Sequence, residues 1–414
     1  MEKCTRNRRE KKAQSEGGPH VETLLGPDPL TEALRGKIRK VLAALFDEEL
    51  TQVLAAAKGE RIGGRQGYRH GARPRELTTG VGRTQIALPR GRLFTAEGQE
   101  REWESRLLPR YQRRAPAVDA ALLGAYLTGA NSRRIKRALS PLLWGAPLSK
   151  SAVSRIVGRL KSLFEEWRSR SLADRDVRYL YLDAIALKVR VARKVVSVPV
   201  LVALGVDGQG RKEVLDLELC ASESSDAWAG FVAGLQGRGV KAPRLLTLDG
   251  SPGLRRAAET TWPHATIQRC AVHKLRNLLR YAPRHAAEEV KADFHRIVYA
   301  TSEAEARTAH RTFVAKWRKL APKVADSLLE AGEELLTFYR FPPSQWKALR
   351  TTNAIERLHG EFRRRVKTQG SLPDTQTAET LLFGLLASGQ VRMRRIDGWE
   401  EMHQITLHRP AQAA

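Results

Sequence analysis

Residues 177–219 read VRYLYLDAIALKVRVARKVVSVPVLVALGVDGQGRKEVLDLEL. Apolar, β-branched and aromatic residues crowd three runs, Tyr179–Arg190, Val195–Val206 and Glu213–Leu219, and the polar segments RVARK and DGQG separate them. That pattern predicts three adjacent strands joined by tight turns. Downstream the pattern alternates: a helix over Ser225–Gln236, a strand over Arg244–Leu248, a helix over Pro252–Thr261, a strand over Ala265–Gln268 and a helix from Ala271. An antiparallel meander feeding parallel strands through crossover helices predicts one α/β sheet. Residues 285–340 then read as nearly all helix.

Three acids stand out against this frame. Asp183 interrupts the first strand among Leu180, Leu182, Ile185 and Leu187, where a carboxylate is costly unless paired or metal-bound. Asp249 ends RLLTLDG, at the C-terminal end of a strand, where α/β sheets place their ligands. Glu356 opens the helix in TTNAIERLHGEFRRRVKTQG. Each has a structural alternative: a buried basic partner for Asp183, a plain turn for Asp249 with Gly250, and a capping box of Asn353 with Glu356. The rest of the last helix favours a site. Ile355, Leu358, Phe362 and Val366 form an apolar stripe, while Glu356, Gly360, Arg363, Arg364 and Lys367 share another face before Gly370 and Pro373 end the helix. The acid thus begins a cationic lane about 16 Å long at 1.5 Å per residue, suited to a phosphodiester backbone. Three carboxylates converging to about 5 Å would repel pairwise by roughly 3 kcal/mol at an effective dielectric of 20. Oxygen-only ligands predict Mg²⁺ or Mn²⁺, as two ions that activate an attacking hydroxyl and stabilise a leaving oxygen.

Composition agrees with a nucleic-acid partner. The chain of 414 residues carries 72 Lys and Arg against 45 Asp and Glu, a formal charge of +27, and phosphate neutralisation is the natural use of such an excess. Cys4, Cys220 and Cys270 are too few and too scattered for a disulfide framework, which fits a reducing cytoplasm. The charged N-terminus MEKCTRNRREKKAQ lacks the apolar stretch of a secretion signal, and the longest apolar run, Val195–Val206, is too short to span a bilayer and reads as strand. A cytoplasmic protein is expected, nucleoid-associated when bound to DNA, with no membrane contact.

Residues 1–17 read as a disordered basic tail. Residues 18–100 form a helical and β-hairpin DNA-binding region, with amphipathic helices over Val21–Ala57 and an arginine-rich hairpin in GYRHGARPRELTTGVGRTQIALPRGR. Residues 101–172 form a helical domain in which TGANSRRIKRALSPLLWGAPLSKSAVSRIVGRLKSLF is a helix-turn-helix candidate. Ser132 and Ser149 are its caps, Gly145 and Pro147 its break, and Ser149–Lys161 its second helix, with Ser151, Ser154, Arg155 and Arg159 outward. A basic helical hairpin packing on the next domain is the plainer alternative. Residues 173–414 form the catalytic domain, with a helical insertion over about 280–345.

With these motifs assembled, the chain resembles the mutator-type transposases of bacterial insertion sequences from about residue 20 to 405. The resemblance rests on YLYLDAIALKVR, LLTLDGSPGLRRA, WPHATIQRCAVHKLRNLL and WKALRTTNAIERLHGEFRRRVKTQGSLPD, with GYRHGARPRELTTGVG and LSKSAVSRIVGRL resembling the family's terminal-repeat-binding region. It implies a ribonuclease H-like catalytic domain, a fold that requires the strand order above. It further implies Asp183, Asp249 and Glu356 as an Asp-Asp-Glu metal triad, and Trp346 near the DNA end being processed. A Cys-x-x-His element falls at Cys270 and His273, with His273 near the metal site or scissile phosphate and Lys274 and Arg276 along the DNA path. By chemistry alone Cys270 and His273 are half a zinc site without a second pair. The sequence departs from the family pattern at His359, where asparagine is expected. The implied activity is Mg²⁺-dependent cleavage of terminal inverted repeats and strand transfer into target DNA by a homodimer or higher oligomer. A structure-specific metal-dependent nuclease and a non-enzymatic helix-turn-helix regulator are the alternatives.

Overall fold

The computed structural model describes residues 29–96, 98–128, 135, 150–367 and 370–402. These divide into two compact units, residues 1–157 and 158–414.

In the first unit, helix α1 (Pro29–Leu54) covers the described part of the helical stretch expected over Val21–Ala57, residues 21–28 lying outside the described residues. Phe46 packs with Leu77, Ile86, Leu88 and Leu108, and Leu50 and Leu54 pack with Trp103. The arginine-rich segment is a hairpin, β1 (Gly67–Thr79) and β2 (Gly82–Phe94), extended by β3 (Glu100–Glu102). Much of its positive charge is answered within the unit: Arg69 pairs with Asp47, Arg83 with Glu76, Arg90 with Glu102 and Arg92 with Glu100. Helix α2 (Pro116–Leu127) follows. The first helix and turn of the helix-turn-helix candidate, with Ser132, Gly145, Pro147 and Ser149, lie outside the described residues, as do Cys4 and residues 1–17.

Helix α3 (Lys150–Ser169) corrects the short second helix expected at Ser149–Lys161. It runs on because Leu160, Phe164 and Trp167 continue its apolar side, and it crosses into the second unit at Gly158. There Phe164 and Trp167 pack at a tilt against Phe383, and Arg168 pairs with Glu218.

The second unit holds a mixed sheet of β4 (Val177–Val191), β5 (Lys194–Asp207), β6 (Lys212–Leu219), β7 (Leu245–Leu248) and β8 (Thr266–Arg269), ordered β6-β5-β4-β7-β8. The first three pair antiparallel; β7 joins β4, and β8 joins β7, in parallel. Helices α4 (Ser225–Gly237) and α5 (Pro252–Thr261) bury Trp228, Phe231 and Leu254 against Leu180, Leu182, Leu246 and Leu248 on one face. After β8 comes the all-helical block: α6 (Ala271–Tyr281), α7 (Ala287–Val298), α8 (Glu303–Leu320), α9 (Pro322–Ala331) and, after two 3₁₀ turns, α10 (Pro343–Leu349). On the other face of the sheet, Tyr179 donates to Gln345 at 2.6 Å and Tyr181 to the Ala348 carbonyl at 3.1 Å. Helix α11 (Asn353–Lys367) buries Ile355, Leu358, Phe362 and Val366, the stripe expected of it, and α12 (Thr375–Ala387) closes the unit. Among the described residues no helix is long and apolar enough to cross a membrane.

Candidate active site

The parallel pairing of β4 with β7 ends at Leu182 opposite Leu248. The next residue on each strand is an acid. Asp183 and Asp249 therefore leave neighbouring strands at one level, the strands being about 4.8 Å apart. Leu182 belongs to the core beneath α4 and α5, so strand alternation turns Asp183 to the opposite face, where His359 Nδ1 of α11 lies 3.7 Å from its Oδ2.

Asp249 is held by a local turn as well as being part of this acid pair. Its Oδ1 accepts the Ser251 N–H at 2.8 Å, and Gly250 turns the chain at φ +97°. A Cβ at Gly250 would lie 2.1 Å from the Arg269 guanidinium, which is buried and forked onto both oxygens of Glu330 at 3.0 and 3.1 Å. Glycine is needed here for both φ and space.

Glu356 is not in a capping box. Thr352 caps α11, its carbonyl accepting from the N–H groups of Ile355 and Glu356, each at 2.9 Å. The Glu356 carboxylate instead faces α6, with Arg276 Nη1 at 3.4 Å and His273 Nε2 at 4.0 Å. The capping threonine is itself tied to the sheet. The Thr352 N–H donates to Cys270 Sγ at 3.3 Å, the two side chains meet at 3.3 Å, and the Cys270 N–H donates to the Leu248 carbonyl at 2.8 Å. One buried cysteine thus joins the residue before Asp249 to the turn that carries Glu356.

Burial is the largest influence on Asp183 and raises its pKa to about 7; His273 and the Ala184 N–H oppose this, while Asp249 and Glu356 reinforce it. His273 moves the other way, up to about 9, first through the Cys270 sulfur as hydrogen-bond acceptor and then through Asp183 and Asp249, against burial. Its Nδ1 is buried without a formed hydrogen bond, so proximity to sulfur and carboxylates, and not one aligned bond, accounts for the shift. His359 is pushed down to about 3 by burial and by Arg363 and His273, and is neutral beside Asp183. Its Nε2 is buried without a partner. Among the described residues no three His, Cys, Asp or Glu side chains are gathered closely enough to enclose a metal ion. The donor chemistry, carboxylate oxygens with Asp249 and Glu356 raising the proton affinity of Asp183, is that of a hard-cation site.

Other expected site residues fall in different places. Arg363 and Lys367 lie exposed on α11, as the lane requires, whereas Arg364 pairs with Glu361 at 2.8 Å. Lys274 is corrected: it is buried, donating to Glu330 at 2.6 Å and to the Ser327 carbonyl at 2.7 Å, and braces α6 on α9 instead of facing a DNA path. Trp346 is half-buried, donating to the Phe341 carbonyl at 2.6 Å and packing edge-on to Tyr339. Ser151 is placed on α3, and Arg155 and Arg159 are exposed there. Sequence reasoning missed Thr352 and Glu223. Glu223 accepts from the Trp228 indole at 3.3 Å, and its pKa is raised by burial and by Asp249. A surface-like SES tripeptide gives no sign of that neighbourhood.

Comparison with known proteins was then decisive about kinship. The model of a family described as "Transposase, Mutator family" matches residues 7–393. The chain is 34% identical over 386 residues, covering 93% of itself and 94% of the relative, to the transposase for insertion sequence element ISRM5 of Rhizobium meliloti. It is 34% identical over 358 residues (86% and 84%) to that of IS1081 of Mycobacterium tuberculosis. It is 28% identical over 352 residues (84% and 87%) to that of IS256 in transposon Tn4001 of Staphylococcus aureus.

Proposed function

The chain belongs to the mutator family of insertion-sequence transposases, and from that premise we propose that it cuts and joins DNA with Asp183, Asp249 and Glu356 as an Asp-Asp-Glu triad on a ribonuclease H-like domain. The carrying observation is the shared level of Asp183 and Asp249 on β4 and β7, with α11 bringing His359 and Glu356 to that end of the sheet. The meander of three antiparallel strands followed by two parallel ones supports the fold assignment.

The triad would hold Mg²⁺, which when bound polarises the scissile phosphate and the attacking oxygen. The chain's own residues do the rest. Arg363 and Lys367, without acidic partners among the described residues, grip the phosphodiester backbone that leads to Glu356. His273, protonated below pH 9, holds positive charge between the acids and pairs with Glu356. Neutral His359 lies against the Asp183 side chain and takes up a proton only in strong acid. The terminal inverted repeats are read by the first unit with α3, and two DNA ends are held by two or more copies.

The test uses full-length protein, a labelled element end and Mg²⁺. Wild type should give cut and joined product; D183N, D249N and E356Q should each bind the end and leave it intact, and should lose the thermal stabilisation that Mn²⁺ gives the wild type. Retained cutting by any one variant removes that residue from the triad. Cut but never joined product would favour a nuclease, and bound, unchanged DNA a regulator.

A further inference from the structure

Strands β4 and β5 outrun the sheet that contains them. Pairing of β4 with β7 stops at Leu182, and pairing of β5 with β6 reaches only Val200, yet β4 and β5 continue together from Ala184 opposite Leu201 to Val191 opposite Lys194. Past Val200, the last β5 residue paired with β6, the six residues Ala186–Val191 form one side of a two-stranded ribbon about 20 Å long at 3.3 Å per residue, beginning three residues after Asp183.

The two faces of this ribbon differ. Ile185, Leu187, Val189 and Val198 are buried, and the segment after α11 backs them: the Leu372 N–H donates to the Lys188 carbonyl at 2.9 Å, and the Arg190 N–H to the Leu372 carbonyl at 2.8 Å. The opposite face exposes Lys188 and Arg190 with their cross-strand partners Ser197 and Val195, and the turn adds Arg193 and Lys194. No acid occurs between Asp183 and Asp207, and among the described residues none of these four cations has an acidic partner. The turn is unusual too. Ala192 and Arg193 both sit at positive φ, +46° and +67°, where asparagine and glycine are the common choice. An arginine is thus kept at the tip against backbone preference. Helix α11 meets the base of the ribbon where His359 lies against Asp183, and Leu372, five residues past its end, docks beside Val189 near the turn, so the chain from α11 follows the ribbon from base to tip.

We propose that this β4–β5 ribbon is a DNA arm: a two-stranded ribbon that lies in the major groove of duplex DNA next to the reacting end, with Lys188, Arg190, Arg193 and Lys194 on phosphates. A two-stranded ribbon fits a groove about 12 Å wide, and unpaired cations without carboxamide neighbours position the duplex without reading its sequence. The inference rests on the transposase reading, because it needs a DNA end at Asp183.

Full-length protein is titrated with a random-sequence duplex, without divalent cations, over a range of salt. The variant carrying K188Q, R190Q, R193Q and K194Q should bind more weakly, with the slope of log affinity against log salt smaller by roughly 3–4. A single-cysteine R193C protein bearing a photoreactive group should cross-link to the duplex, and the wild type should protect guanine N7 near the cross-link. An unchanged slope with no cross-link overturns the arm while leaving the triad untouched. Protection confined to the minor groove overturns the groove assignment, and failure of the wild type to bind any duplex overturns both the arm and the transposase reading.

Discussion

Asp183 is a buried acid, and its burial has a measurable cost. Its pKa is about 7 in the folded protein against 3.8 for a free carboxyl, so it binds its proton more tightly when folded. A raised carboxyl pKa gives stability that is complete below the unfolded value and is lost as pH rises through the folded one. Metal-free wild type should therefore weaken between pH 4 and pH 8. D183N should escape most of that loss and be the more stable protein at pH 8, by about 2–4 kcal/mol at 1.36 kcal/mol per pH unit. Denaturant melts at both pH values check this, and a D183N protein no more stable at pH 8 would contradict it. Gly250 carries a second prediction: with φ at +97° and the Arg269 guanidinium against its open side, Gly250→Ala should destabilise by about 2–3 kcal/mol, read as a shift in urea midpoint. The places of Asp183 in β4 and Asp249 after β7 were legible from sequence because a carboxylate breaking an apolar run is conspicuous. The fate of Lys274 was not, since a lysine two turns from solvent and one salt-bridged beneath a neighbouring helix look alike in a string of letters.

Strands β4 to β8 and helices α4 to α6 fall within a residue or two of the bounds read from their apolar patterning, because each is half or fully buried and carries that burial in its alternation. Helix α11 was equally legible, its buried stripe being Ile355, Leu358, Phe362 and Val366. What stayed hidden was its cap: Asn353 looks the better N-cap, but the hydrogen bonds of Thr352 to Cys270, distant in sequence, decide the first turn. The β4–β5 turn likewise showed its position but not its strain. Replacing Ala192 and Arg193 with Asn-Gly should raise stability by about 1 kcal/mol through relief of two left-handed residues, while weakening duplex binding through loss of Arg193. Thermal melts and a salt titration on the same protein read the two effects separately.

For the molecule as a whole, the sequence suggested a catalytic domain beginning at residue 173, whereas compactness divides the chain at 157/158, inside α3. The reason is packing: Leu160 and Phe164 are buried with the second unit, and Arg168 pairs with Glu218. A fragment beginning at Lys150 should therefore fold cooperatively, and one beginning at Arg170 should be less stable by about 3–6 kcal/mol, the worth of burying two large apolar side chains. Calorimetry of the two fragments tests this, and equal melting temperatures would return the boundary to the later position. The helical block between β8 and α11 has a consequence for the order in which the protein comes into being. A ribosome translates all five strands of the sheet, with Asp183 and Asp249, before α7 to α10, and only then Glu356. A copy of the gene truncated by a frameshift in that block would encode all five strands but neither Glu356 nor the helices α10 and α11 that cover the second face of the sheet, leaving Tyr179 and Tyr181 without their partners.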